Sequence, residues 1–123
     1  MDPQPLIALA ASLARPCAPS VDCTAGTVAA ALVTGAGDMF TGVCVDAACS
    51  LGFCAEHAAV AEMLKARQSA VRLVVAVNSA GVVLPPCGRC RELLWQVDAR
   101  NAGTWGVLGP ADGAPLSELL PRR

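Results

Sequence analysis

The chain has no tyrosine and only two phenylalanines and two tryptophans in 123 residues. So few rings cannot build a platform on which successive bases of a single strand would stack. Charge of either sign is also scarce: nine Lys and Arg stand against ten Asp and Glu, for a net charge of −1. A phosphate backbone needs a basic face, so no nucleic-acid partner is expected. No apolar run reaches the length of a membrane span, and no membrane partner is expected either. The one apolar stretch near the start, Pro5 to Ala14, is short and follows Asp2 rather than a basic segment. It does not read as a signal peptide, and a cytoplasmic location is the expectation. There is no internal repeat and no low-complexity segment. A small-molecule partner fits this composition better than a polymer.

Hydrophobic residues are plentiful, at 54%, and so are cysteines, at seven. A chain of this length reads as one domain spanning 1–123, large enough to bury a core. Cysteines in this number without a secretory signal point to a reducing compartment rather than to a disulfide framework. Cys17, Cys23, Cys44 and Cys49 are expected to act as small buried hydrophobes.

The other three cysteines lie in two short pieces, Cys54-Ala55-Glu56 and Pro86-Cys87-Gly88-Arg89-Cys90. Each piece opens a segment with helical character. Cys87 and Cys90 are three apart, so on a first helical turn both sulfurs face one side. Cys54 at the head of the other helix adds a third thiolate. Three protein ligands, Cys54, Cys87 and Cys90, leave a tetrahedral Zn2+ one open position, and an open position is where zinc acts on water. Glu56, two residues past Cys54, is close to the metal but offset from the ligand, which suits a general acid/base. Two other classes compete. A non-catalytic structural zinc module needs a fourth ligand, which Cys49 or His57 could supply. A redox protein could use Cys87 and Cys90 as a C-x-x-C pair between a strand and a helix.

Periodicity places these pieces in an alternating chain. Pro3 to Ala14 is an amphipathic helix with Leu6, Ile7, Ala10 and Leu13 on one face. Arg15 to Cys23, with Pro16 and Pro19, reads as a loop. Val28 to Thr34 and Met39 to Val45 form a hairpin about Gly35-Ala36-Gly37-Asp38. A loop from Asp46 to Phe53 leads to the first zinc helix, Cys54 to Arg67, with Ala58, Ala61, Met63 and Leu64 as packing positions. Val71 to Val77 is a buried strand. Cys87 to Val97 is the second zinc helix, with Leu93 and Leu94 inward. Thr104 to Leu108 is a further strand, Gly109 to Ala114 a loop, and Pro115 to Leu120 a short last helix. Helices alternating with strands after a hairpin imply an α/β fold, a mixed sheet covered by helices.

The pattern C-x-E…P-C-x-x-C is the three-cysteine form of the zinc deaminase signature. The chain resembles the small cytidine deaminase family, from about Thr27 to Pro121. The resemblance is densest at Gly42-Val43-Cys44-Val45-Asp46, Phe53-Cys54-Ala55-Glu56-His57 and Leu84 to Leu93. The run Thr27 to Leu32 resembles the blasticidin S deaminase branch. The resemblance implies a three-layer α/β/α sandwich on a mixed five-stranded sheet, a homotetramer, and hydrolytic deamination of cytidine or deoxycytidine with release of ammonia. A modified cytosine nucleoside such as blasticidin S is the alternative substrate. It further implies that Cys44 and Asp46 line the sugar side of the pocket, where ordinary members place an Asn and a Glu. The carbonyls of Ala55 and Pro86 would grip the amino group. Many members follow the catalytic Glu with an Arg that bonds the ligand sulfurs. Here that place holds His57, which is expected to tune the zinc site.

Overall fold

The structure is a computed structural model that describes residues 2–122. In chain order the elements are α1 (Gln4–Leu13), β1 (Cys17–Ser20), β2 (Cys23–Thr34), β3 (Met39–Ala47), α2 (Ala55–Lys65), β4 (Val71–Asn78), β5 (Val83–Leu84), α3 (Gly88–Val97), β6 (Trp105–Gly109), β7 (Asp112–Pro115) and α4 (Leu116–Leu119). Short 3-10 turns at Ala48–Ser50 and Ala99–Gly103 precede α2 and β6.

β2 is the spine. It pairs antiparallel with β3 along one edge and with β4 along the other. β4 in turn pairs with β5 antiparallel and β6 parallel, and β7 closes the far edge on β6. The sheet is mixed, as expected, but it has seven strands rather than five. The additional pieces are short and lie in stretches whose composition reads as loop. β1 contains Pro19, is exposed throughout, and meets β2 at only two Cα positions, an edge location where a missing N–H does no harm. β5 is two residues long. β7 falls in the Gly- and Pro-containing segment after Gly109.

Small branched side chains alternate across β2 and β4, and the alternation makes the three layers. Ala31, Val33, Leu73, Val75 and Val77 face α1, where Leu6 and Ala10 seal one core. Ala30, Leu32, Val74 and Ala76 face the opposite way, toward Ala59, Val60 and Met63 of α2, Leu94 of α3 and Leu116 of α4. The two zinc helices therefore share one face of the sheet. Polar groups at the back of this layer are tied in: fully buried Asn101 accepts from the Val71 N–H at 2.7 Å and donates to the carbonyls of Leu94 and Ser69 at 2.8 and 3.0 Å. These bonds fix the C-terminal end of α3 to the start of β4.

The stripe of α2 that packs inward is Ala55, Glu56, Ala59, Val60 and Met63. Ala61 and Leu64, expected inside, are exposed. The reason is Gly42 on β3. A Cβ there would come within 2.5 Å of Ala58 Cβ and the Ala59 nitrogen and 2.7 Å of the Ala55 carbonyl. The helix lies almost on the strand backbone, and only the face bearing the small residues 55, 58 and 59 can do this. The four cysteines outside the motifs also depart from expectation: Cys44 is buried, Cys23 half-buried, and Cys17 and Cys49 exposed. Cys17 sits on the exposed edge strand, and Cys49 in a turn where both it and Ser50 take left-handed φ angles near 60°.

Candidate active site

Cys54 and Cys87 are the residues immediately preceding α2 and α3, both in extended conformation, and Cys90 lies in the first turn of α3. Two helix N-termini thus converge on one point and present positive dipole ends to the sulfurs. The Cys54 and Cys87 Sγ atoms are 3.5 Å apart, and those of Cys87 and Cys90 3.4 Å. His57, one turn into α2, places Nδ1 3.6 Å from Cys90 Sγ. The ligand atoms of Cys54, His57 and Cys90 all lie within 4.8 Å of one another, a group able to hold a metal ion. A four-coordinate zinc with Zn–S bonds of about 2.3 Å keeps its sulfurs about 3.8 Å apart, so the spacing fits this metal.

The acid–base balance of the cluster also asks for a cation. Burial pushes the Cys90 thiol far above its ordinary range, and the Glu56 carboxylate beside it and the bond to Cys87 add to the effect. Burial and the bond to Cys87 raise Cys54 as well. Cys87 goes the other way. Burial alone would raise it, but the backbone N–H and thiol of Cys90 together with the Cys54 thiol outweigh that and lower it. Three thiols packed this closely lose protons readily only when a positive ion shares the site. Burial likewise raises Glu56, against the opposing effect of its own N–H and the Cys90 thiol. Burial, then the charge of Arg89, lowers His57, which favours the neutral imidazole.

A cavity of about 500 Å3 opens beside the sulfurs. Its lining includes Cys54, Glu56, Cys87 and Arg89 together with Thr27, Cys44 and Asp46. Of the residues expected to meet a substrate, Cys44, Asp46 and Ala55 do line the cavity. Pro86 is buried and does not line the cavity, and its carbonyl accepts the Arg91 Nε–H at 2.7 Å. The Cys44 sulfur is already engaged: it accepts the Val28 N–H at 3.3 Å and lies 3.1 Å from Thr27 Oγ1. Thr27 Oγ1 also reaches Asp46 Oδ2 at 3.5 Å. Thr27, Arg89 and Arg91 are the members of this neighbourhood that sequence reasoning passed over. Thr27 lies on a strand whose apolar run hides one hydroxyl. The two arginines sit within and just after C-x-x-C, which drew attention to the cysteines alone.

A family profile for the cytidine and deoxycytidylate deaminase zinc-binding region matches residues 3–103. The chain belongs to this family. Solved structures agree over the whole length. The cytidine deaminase of Mycobacterium leprae superposes with a TM-score of 0.82 at 26% identity, covering 99% of both chains. That of Mycobacterium tuberculosis gives 0.82 at 28% identity, over 99% of this chain and 96% of its own. That of Burkholderia pseudomallei gives 0.74 at 27% identity, over 99% and 98%. With the family comes the meaning of the cluster: the chain is a zinc-dependent deaminase of the cytidine-deaminase type. A deaminase needs an acid/base carboxyl in the same cavity as its metal donors, and Glu56 is there. Among the described residues no helix is long and apolar enough to cross a membrane.

Proposed function

We propose that this deaminase hydrolyses the exocyclic amine of a free cytosine nucleoside, cytidine or deoxycytidine, giving the uridine form and ammonia. The observation that carries the reading is the buried Glu56 carboxyl beside the Cys54–Cys87–Cys90 thiols, in a cavity large enough for one nucleoside. Cys54, Cys87 and Cys90 would hold the metal; Zn2+ bound there supplies an activated water. Glu56 takes a proton from the attacking water, holds it out of bulk solvent, delivers it to ring N3 and then assists the departing ammonia. The Ala55 carbonyl at the head of α2 is the acceptor for the amino group, since Pro86 does not line the cavity and its carbonyl holds Arg91. The test is a panel of cytosine, cytidine, deoxycytidine and blasticidin S, followed by loss of the aminopyrimidine absorbance and release of ammonia. Turnover of a cytosine nucleoside is the expected result. A zinc-loaded enzyme that releases ammonia from none of them overturns the reading.

His57 acts on the metal through a sulfur rather than as a ligand. Its Nδ1 faces Cys90, and an N–H there would draw negative charge from the thiolate. His57→Ala is therefore expected to keep one zinc per chain while turnover falls by about 10- to 100-fold. Cobalt substitution provides the check: the absorption bands of the Co2+ protein should keep their positions in His57→Ala. A shifted band pattern would make His57 a fourth donor and return the site to the structural class.

The sugar side decides between an ordinary and a modified nucleoside. Because Cys44 spends its sulfur on Val28 and Thr27, Asp46 with Thr27 is the pair left to read hydroxyls. Losing one polar contact in such a site costs about 1–3 kcal/mol, roughly 10- to 100-fold in kcat/KM. Asp46→Ala should lower kcat/KM on the best substrate by that factor and leave zinc content alone. An unchanged kcat/KM on every compound of the panel would remove Asp46 from the pocket.

We also read the protein as a homotetramer. Phe53, which lines the cavity, and Leu51, two residues before it, are exposed by 39% and 76%, and hiding them against neighbouring copies would shield the site from water. Sedimentation at micromolar concentration should give four chains; a monomer would refute it.

A further inference from the structure

Arg91 belongs to neither the metal donors nor the cavity wall, yet its side chain is half-buried and committed at both ends. Its Nε–H donates to the Pro86 carbonyl at 2.7 Å. Its Nη1–H donates to the Leu119 carbonyl at 3.2 Å. Pro86 immediately precedes Cys87, so the plane of the peptide between them sets where the Cys87 backbone and sulfur lie. Leu119 belongs to the short C-terminal helix α4, 28 residues further along the chain. A planar guanidinium can serve two acceptors in different directions at once, which an ammonium does poorly.

The packing around Leu119 supports the same link. Leu116 anchors α4 by burial and by its N–H to the Thr104 carbonyl at 2.8 Å. A Cβ at Gly106 on β6 would come 3.1 Å from Leu119 Cδ1 and 3.8 Å from the Pro86 ring. The Leu119 side chain therefore fills the notch that the missing Cβ leaves, directly beside Pro86. Three elements thus meet at Pro86: Arg91 of α3 on its carbonyl, and Gly106 of β6 and Leu119 of α4 beside its ring.

We propose that Arg91 is a positioning residue that clasps the C-terminal turn onto the loop carrying Cys87. It thereby holds this donor and the Pro86 carbonyl in register with Cys54 and Cys90. The inference rests on the assignment of Cys87 as a metal ligand of the deaminase. It gives α4 a part in the chemistry, although none of its residues lines the cavity.

The test uses the full-length zinc protein. Zinc transfer to an excess of a coloured chelator is timed, amide exchange of residues 116–120 is followed, and kcat and KM are measured on the best substrate. Arg91→Ala is expected to give up zinc about 10- to 100-fold faster than wild type. It should also lose exchange protection at 116–120 and lower kcat more than it raises KM. Arg91→Lys should fall between. Gly106→Ala, whose Cβ would come 3.1 Å from Leu119 Cδ1 and crowd that side chain while keeping Arg91, should speed zinc transfer in the same direction. Wild-type zinc transfer in Arg91→Ala overturns the proposal. Faster transfer with residues 116–120 still protected overturns the link to the C-terminal turn. If Arg91→Ala does not fold, Arg91→Lys and Gly106→Ala decide by the same readouts. A wild-type protein that deaminates nothing would sink the deaminase reading instead, and zinc transfer and exchange would still judge the clasp.

Discussion

Glu56→Gln protein should purify with one zinc per chain and release ammonia about 10²- to 10⁴-fold more slowly than wild type. Glu56 is 5% exposed and lines the cavity beside Cys54 and Cys87. Of the two acidic residues lining the cavity, Asp46 and Glu56, it is Glu56 that lies beside the metal donors. Gln keeps the volume and the hydrogen-bonding shape, so α2 should stay seated on β3. What it removes is the capacity to accept and return a proton, and every proton movement in the proposed hydrolysis passes through this side chain. The donors themselves are unchanged, so metal content measured by atomic absorption should match wild type. Loss of zinc in Glu56→Gln would mean that the carboxyl is a ligand. Retained turnover would move the acid/base role to another group.

Gly42→Val should cost about 3 kcal/mol or more of stability and strip the protein of most of its zinc. The hypothetical Cβ at this position meets the Ala59 nitrogen at 2.5 Å and the Ala55 carbonyl at 2.7 Å, both of them helix backbone. A flexible side chain could swing away; a helix backbone can make room only by moving as a body. The part that must move is the first turn of α2, which carries Glu56 and His57 and directly follows Cys54. The sulfur separations of 3.4–3.5 Å leave little slack for such a shift. Urea unfolding of the metal-free protein separates the packing cost from the metal's own contribution, and zinc per chain reports the site. A Gly42→Val protein with wild-type urea midpoint and full zinc would show that α2 does not rest on β3 as described.

The agreement between the two prolonged helices and their sequence signals has a simple origin. Cys54 and Cys87 each stand at a point where an extended loop gives way to helical periodicity, and metal donors in the first turn of a helix have fixed spacing. That spacing is local chemistry, and it is written in a few adjacent letters. The layers were equally open to reading, because the nearly unbroken apolar runs Val28 to Thr34 and Val71 to Val77 oblige both faces of the sheet to be covered. Ala61 and Leu64 were placed on the wrong side because composition says which residues of a helix are apolar. It does not say which of them a glycine on another strand will admit.

By itself, then, the sequence determined the zinc chemistry and the layered fold and named Glu56 as the candidate acid/base, since each reading depends on residues within one turn or one strand of each other. Only the tertiary structure decided that His57 meets Cys90, that Thr27 occupies the Cys44 sulfur, and that Arg91 joins Pro86 to Leu119. Those pairs are separated by 33, 17 and 28 residues or bridge three elements, and no periodicity connects them. The number of strands was settled there as well. β1, β5 and β7 are held by a few backbone bonds to longer neighbours, and a backbone bond leaves no mark on the side chains of the residues that make it.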